Sequence, residues 1–229
     1  MGVVLERGER MTLWAAEKKM VLETAQRVAD RGFVVGTAGN ISMRVSDSSG
    51  KEFMLITPTS RYYDTMSGDD IVVVDLEGGR VEGGLAPSVE TMMHAGIYKE
   101  RKKVNAVIHS HPVFSSAIAV AGMDIPPIVD DQINYLGGVI RVAEYAISGS
   151  QDLVTNVLAA LGPRNAVLLA NHGAVTVGKD LREAFTNIEM LEKTAKIYIS
   201  VISIGKFTPI PAEALEVQMA FFNYVHGDS

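Results

Sequence analysis

The sequence predicts an α/β domain built on a mixed sheet, and three observations carry that prediction. Short apolar runs of strand length, such as Phe53–Ile56, Ile71–Val74 and Ala166–Ala170, recur between amphipathic stretches of helical period. Strands and helices alternate without a strict βαβ rhythm, so the sheet is expected to be mixed rather than all parallel. The composition, 47% hydrophobic and 21% charged over 229 residues, suits one large domain with a sizeable core, taken as residues 1–229.

The elements follow in order. A first helix is expected over 11–31, with Trp14, Val21, Ala25 and Val28 on its apolar face, Glu17, Lys18, Glu23 and Arg27 elsewhere, and Gly32 as its stop. A glycine-rich turn at 36–40 leads into a strand, and Phe53–Ile56 forms a second that ends at Thr57-Pro58. Ile71–Val74 and the Gly78-Gly79 turn predict a hairpin toward Val81. Pro87-Ser88 opens a helix to about Arg101, and Val104–Ile108 is a strand running into His109-Ser110-His111-Pro112. A helix follows through Ala121, and the Pro- and Gly-punctuated stretch 123–145 reads as loops with short strands. Asp152–Leu161 is helical, and Ala166–Ala170 and Ala174–Val177 are strands separated by the Asn171-His172-Gly173 turn. A long helix over 180–204 has Leu181, Ala184, Ile188, Leu191, Ala195 and Ile202 as its buried stripe, and a tail helix is expected over 212–224.

Whole classes of function drop out early. With no cysteine there is no disulfide framework, no thiolate metal site and no cysteine nucleophile. The net charge of -6 argues against nucleic acid as a partner. No apolar run is long enough to span a bilayer, and the N-terminal residues lack the apolar core of a signal peptide. The expectation is a cytoplasmic protein without a membrane partner.

Five histidines are present: His94, His109, His111, His172 and His226. His109 and His111 stand two apart at a strand end, where period-two geometry turns both imidazoles to one face. That spacing suits a metal; an isolated pair can equally be polar residues at a strand end. His172 lies at the end of another buried strand, and a third imidazole completes the three-ligand set of a catalytic metal site. All-nitrogen ligation suits zinc and leaves manganese, cobalt and iron open. Glu90, in the first turn of its helix, is either a charge favoured by the helix dipole or a general acid/base and removable metal ligand. His94 shares its helix face and could compete as the ligand, but is expected inside, hydrogen-bonded; His226 reads as a solvated tail residue. Thr37, Gly39 and Asn40 in the glycine-rich turn, Thr59 and Ser60 after Pro58, and Ser88 at a helix start offer neutral donors for an anion.

The segments GTAGNIS (36–42), LITPTS (55–60), PSVETMMH (87–94), NAVIHSHP (105–112) and LLANHGAVTVG (168–178), in this order, resemble the class II aldolase/epimerase family over about 15–224. The resemblance implies a three-layer α/β/α fold around a mainly antiparallel sheet, in a homotetramer with active sites at subunit interfaces. It implies zinc, one per subunit, on His109, His111 and His172, with Glu90 as the acid/base that also ligates the resting metal. Asn40, Thr59 and Ser88 map to phosphate donors, with Thr37, Gly39 and Ser60 in the same loops, and Tyr224 maps to a tail tyrosine closing over the site. Asp131, with Asp130 and Tyr135 alongside, falls near the position of a proton donor contributed by a neighbouring subunit. Two departures stand out: the aldolases most often read Thr-Gly at 59–60 and Ser-Ser-Glu at 88–90. The implied reaction cleaves a ketose 1-phosphate, such as L-fuculose 1-phosphate or a deoxy- or methylthio-pentulose 1-phosphate, to dihydroxyacetone phosphate and a short aldehyde through a metal-bound enediolate. A sugar-phosphate 4-epimerase, a sugar-acid decarboxylase and a non-catalytic adducin-like scaffold are the alternatives.

Overall fold

The structure is a computed structural model that describes residues 14–227. The first strands are β1 (Asn40–Ser46), β2 (Glu52–Ile56), β3 (Val72–Asp75) and β4 (Arg80–Glu82); β5 (Ala106–Ser110), β6 (Val142–Ala143), β7 (Ala166–Leu169) and β8 (Gly173–Gly178) complete one sheet. The spatial order is β4-β3-β2-β1-β5-β8-β7-β6, and every pairing is antiparallel except β6 with β7. The sheet is therefore mixed and mainly antiparallel.

Helices cover both faces. On one lie α1 (Ala15–Asp30), α3 (Val113–Ala121) and α6 (Leu181–Ile204), packed on Ile41, Leu55, Val73, Ile108 and Ala174. On the other lie α2 (Thr91–Glu100) and α5 (Gln151–Leu161), packed on Met54, Val72, Val107, Val167 and Val175. Strands buried on both faces need no polar alternation, which is why they read as unbroken apolar runs. Two more helices, α4 (Asp130–Leu136) and α7 (Ala212–His226), pack against each other, with α4 also on α6.

Several expectations are corrected. The start of the first helix at 11–13 lies outside the described residues; Trp14 precedes α1 at φ 60 and packs on Phe53. Lys18, placed off the apolar face, is nonetheless buried, its ammonium 2.6 Å from Glu82. Helix α2 begins at Thr91, four residues after Pro87, so Glu90 is its N-cap residue at φ -98, ψ 15. The stretch 123–145 contains α4, which its Pro126-Pro127 and Gly137-Gly138 borders disguise; Ile133 and Leu136 are nonetheless buried at helical spacing. Ile202 is 43% exposed, because α6, 24 residues at about 1.5 Å each, outruns the core. His226 is partly buried, its ring stacked on Phe222 and 3.7 Å from Glu183.

Candidate active site and metal centre

The sheet's centre builds the site. In the β1–β5 register Asn40 stands opposite His109, and in the β5–β8 register His109 stands opposite Val175. His109 lies near the end of the fully buried strand β5, His111 follows two residues later, and His172 sits in the β7–β8 turn, where Asn171 takes φ 54. The ligand nitrogens of the three histidines all lie within 4.8 Å of one another. Their ring centroids are 4.7, 4.9 and 5.1 Å apart and each pair is tilted by about 65°. They form a three-bladed propeller.

The donor chemistry fits a divalent cation. His109 Nδ1 lies 3.0 Å from the carbonyl oxygen of Ala174, so that nitrogen carries the proton and Nε2 is bare. His111 Nε2 is 3.0 Å from that bare nitrogen. Burial pushes His109 down to about 4, against the opposing pull of Glu90, and burial also lowers His111. Both are neutral near pH 7, the form a metal takes. Glu90 is 4% exposed, with Oε2 at 3.2 Å from His109 Nε2 and Oε1 at 3.5 Å from His172 Nε2. Its Oε1 is buried without a hydrogen-bond partner, an orphaned oxygen on the His172 side of the triad. Burial acts to raise the Glu90 carboxyl, but His109, the Asn40 hydrogen bond and His172 outweigh it and hold it below the usual range.

Beside the triad opens a cleft of about 150 Å³, lined by Thr37, Gly39, Asn40, Thr59, Ser60, Ser88, Glu90 and the three histidines. A bridge between Pro58 and Pro87 and the bond from Thr59 N–H to the Ala86 carbonyl bring two of these loops together. Gly39 is required here: it takes φ +75, and a Cβ would meet the His109 carbonyl at 2.7 Å. The side chain of Asn40 is turned to Glu90, donating from Nδ2 to Oε2 at 2.7 Å. Ser148 also lines the cleft and was missed from sequence. Gly149 beside it, at φ +79 with its missing Cβ 2.9 Å from the Val89 carbonyl, was the one available signal. Among the described residues, a larger cavity of about 300 Å³ near Arg101 and Lys179 holds no metal-ligand set.

Three sequence-derived candidates stand elsewhere in the single chain. Asp131 is exposed on α4 and paired with Lys193 at 2.7 Å; Tyr135, on the same helix, is 41% exposed. Tyr224 on α7 is 86% exposed. None lines the cleft of its own chain.

The family model described as Class II Aldolase and Adducin N-terminal domain matches residues 19–199. The chain belongs to the class II aldolase family. The 5-methylthioribulose-1-phosphate/5-deoxyribulose-1-phosphate aldolase of Rhodospirillum rubrum is 34% identical over 91% of each chain. The 5-deoxy-D-ribulose 1-phosphate aldolase of Bacillus thuringiensis serovar kurstaki is 31% identical over 87% of this chain and 92% of that protein. A solved L-fuculose 1-phosphate aldolase superposes with a TM-score of 0.85 at 32% identity, covering 94% of this chain and all of that one. The class II aldolase fold, an eight-stranded mainly antiparallel sheet between helical layers, is thus shared, and the chain is an enzyme of the lyase class. Within this class II aldolase chain, Ser60 takes φ 56, the left-handed conformation that glycine adopts freely. No described helix is long and apolar enough to cross a membrane.

Proposed function

We propose that this chain cleaves a ketose 1-phosphate between C3 and C4, yielding dihydroxyacetone phosphate and a short aldehyde. The observation that carries the reading is the convergence of three imidazoles and a buried carboxylate beside a cleft of neutral hydroxyl and amide donors. His109, His111 and His172 would hold one Zn²⁺, with Glu90 as its removable fourth ligand; the ion would supply Lewis-acid stabilisation of charge developing on the substrate oxygens. A base at the aldehyde end, the role Asp131, Tyr135 or Tyr224 of a neighbouring subunit would fill, takes the C4 hydroxyl proton as the C3–C4 bond breaks. The electron pair left at C3 delocalises onto the C2 oxygen, and Glu90, having taken a proton from solvent before the cleavage step, gives it to C3 and is left as the carboxylate. Thr37, Gly39, Asn40, Thr59, Ser60 and Ser88 hold the phosphate by neutral hydrogen bonds, in keeping with the acidic total charge.

Asp131, Tyr135 and Tyr224 serve the aldehyde oxygen only if a neighbouring subunit presents them, which is the arrangement of a homotetramer with interface sites. Relatives named for 5-deoxyribulose and 5-methylthioribulose 1-phosphates support a small, weakly polar aldehyde. The deciding experiment incubates the purified protein with 5-deoxyribulose, 5-methylthioribulose and L-fuculose 1-phosphates while detecting dihydroxyacetone phosphate and trapping free aldehyde. Release of both products, abolished by chelator and restored by zinc, supports the reading. Epimerised sugar or carbon dioxide without free aldehyde replaces it by the epimerase or the decarboxylase, and a chain that binds no metal and turns over nothing restores the scaffold.

A further inference from the structure

Helix α2 and strand β1 interlock through two periodicities. Glu90, His94 and Tyr98 recur every four residues on one face of the helical turn, and Asn40, Ser42 and Arg44 recur every two on one face of the strand. Their side chains join in sequence. Tyr98 OH lies 2.7 Å from Ser42 Oγ, Ser42 Oγ lies 2.6 Å from His94 Nδ1, and His94 Nε2 lies 2.6 Å from Asn40 Oδ1. Asn40 Nδ2 then donates to Glu90 Oε2 at 2.7 Å. All of these groups are buried, His94 completely.

The chemistry of the end groups sets the direction of the chain. The Glu90 carboxylate can only accept, so Asn40 presents its amide N–H to it and must offer its carbonyl oxygen to His94. His94 Nε2 therefore carries the proton, and Nδ1 is bare and accepts from Ser42. Burial pushes His94 down to about 3, consistent with a neutral ring. Each donor points toward Glu90, an arrangement in which successive bonds polarise one another. The chain ends on Oε2 alone, while Oε1 has no hydrogen-bond partner.

We propose that His94 is a positioning residue for Glu90: through Asn40 it holds Oε2 and leaves Oε1 as the oxygen that exchanges the proton at C3. This rests on the reading of Glu90 as the proton carrier. A packing histidine would be replaceable by an apolar residue of similar size; a positioning one needs an N–H aimed at Asn40.

The test uses the zinc-loaded protein with dihydroxyacetone phosphate alone in D₂O, following hydrogen exchange at its hydroxymethyl carbon. His94→Leu should slow exchange at least about tenfold with KM changed little and zinc content unaltered. His94→Gln, which keeps an N–H toward Asn40, should recover most of the loss. In the metal-free protein, ¹⁵N spectra of labelled histidine should show His94 protonated at Nε2 and bare at Nδ1. Exchange by His94→Leu within about threefold of wild type, equal impairment of the Leu and Gln variants, a loss explained by missing zinc, or the opposite tautomer overturns the proposal. Should His94→Leu not fold, Ser42→Ala decides: it frees the ring to take the other tautomer, and exchange at the wild-type rate is the overturning result. A wild type that exchanges nothing overturns the reading of Glu90 itself; a wild type that exchanges while the variants match it overturns only this inference.

Discussion

The proton on His109 Nδ1 is shared with the carbonyl oxygen of Ala174, 3.0 Å away on the neighbouring strand. That bond fixes the tautomer of the most buried member of the triad and turns its lone pair to the other two rings. His109→Ala is therefore expected to weaken zinc binding by more than about 100-fold, since loss of an outer-shell partner alone typically costs 10–100-fold. Chelator-competition titration of the purified variant measures it, and retained zinc with retained turnover would refute the assignment.

Gly173 follows His172 and opens β8 directly beneath His111. A Cβ there would meet His111 Cδ2 at 2.5 Å and the Ser110 carbonyl at 2.6 Å. Gly173→Ala should displace the His111 ring and lower zinc affinity even though no ligand is changed. The same titration reports it, with His111→Ala as the reference; affinity equal to wild type would show that the turn relaxes around the methyl group.

Glu90→Gln keeps the shape of the side chain and an acceptor for Asn40 but removes the base. The expected outcome is a kcat lower by about 10²–10⁴ with little change in KM, the range attributed to one positioned acid/base. Steady-state kinetics on the best ketose 1-phosphate checks it. A loss carried mainly by KM would instead make Glu90 a binding residue.

Ser60 holds a left-handed backbone that costs a residue with a Cβ roughly 1 kcal/mol or more. Ser60→Gly should raise thermal stability by about 2–4 °C for a chain of this size. Removal of the hydroxyl should at the same time raise KM for the phosphorylated substrate. Calorimetry and kinetics separate the two effects; an unchanged or lower midpoint contradicts the strain argument.

Acid should destabilise the metal-free protein well before its carboxylates titrate. His94 is lowered to about 3 and His109 to about 4, from an ordinary 6.5, both chiefly by burial. The unfolded chain binds protons that the folded chain refuses, so the stability these groups contribute is present above pH 6.5 and lost as pH falls toward their folded values. Each costs about 1.4 kcal/mol per pH unit across that window. Urea midpoints should be level from pH 7.5 to about 6.5 and fall from there to pH 5, and His94→Gln should flatten that fall. A constant midpoint would show that the buried rings are not held neutral.

Much of the site was legible because its signals are short-range. Two histidines at period two, a third in a turn and a carboxylate at a helix start are local patterns, and the structure brings all four within one cleft. Asn40 was legible only as a donor in a glycine-rich turn; that its amide is turned to Glu90 depends on β1 lying beside α2. Helix α4 was hidden by its prolines and glycines, and Lys18 was placed off the apolar face without a partner because Glu82, 64 residues away, does not announce itself in the pattern around it.

The sequence by itself determined the order of the elements other than α4, the apolar strands and the residue types able to hold a cation, since these follow from periodicity and side-chain chemistry. Only the tertiary structure decided which lone pairs face one another, which oxygen of Glu90 stays free, and that Asp131, Tyr135 and Tyr224 lie outside the cleft of their own chain. The physical reason is that a hydrogen bond or a ligand sphere requires positions within a few ångströms. Strand register and helix packing set such positions among residues far apart along the chain.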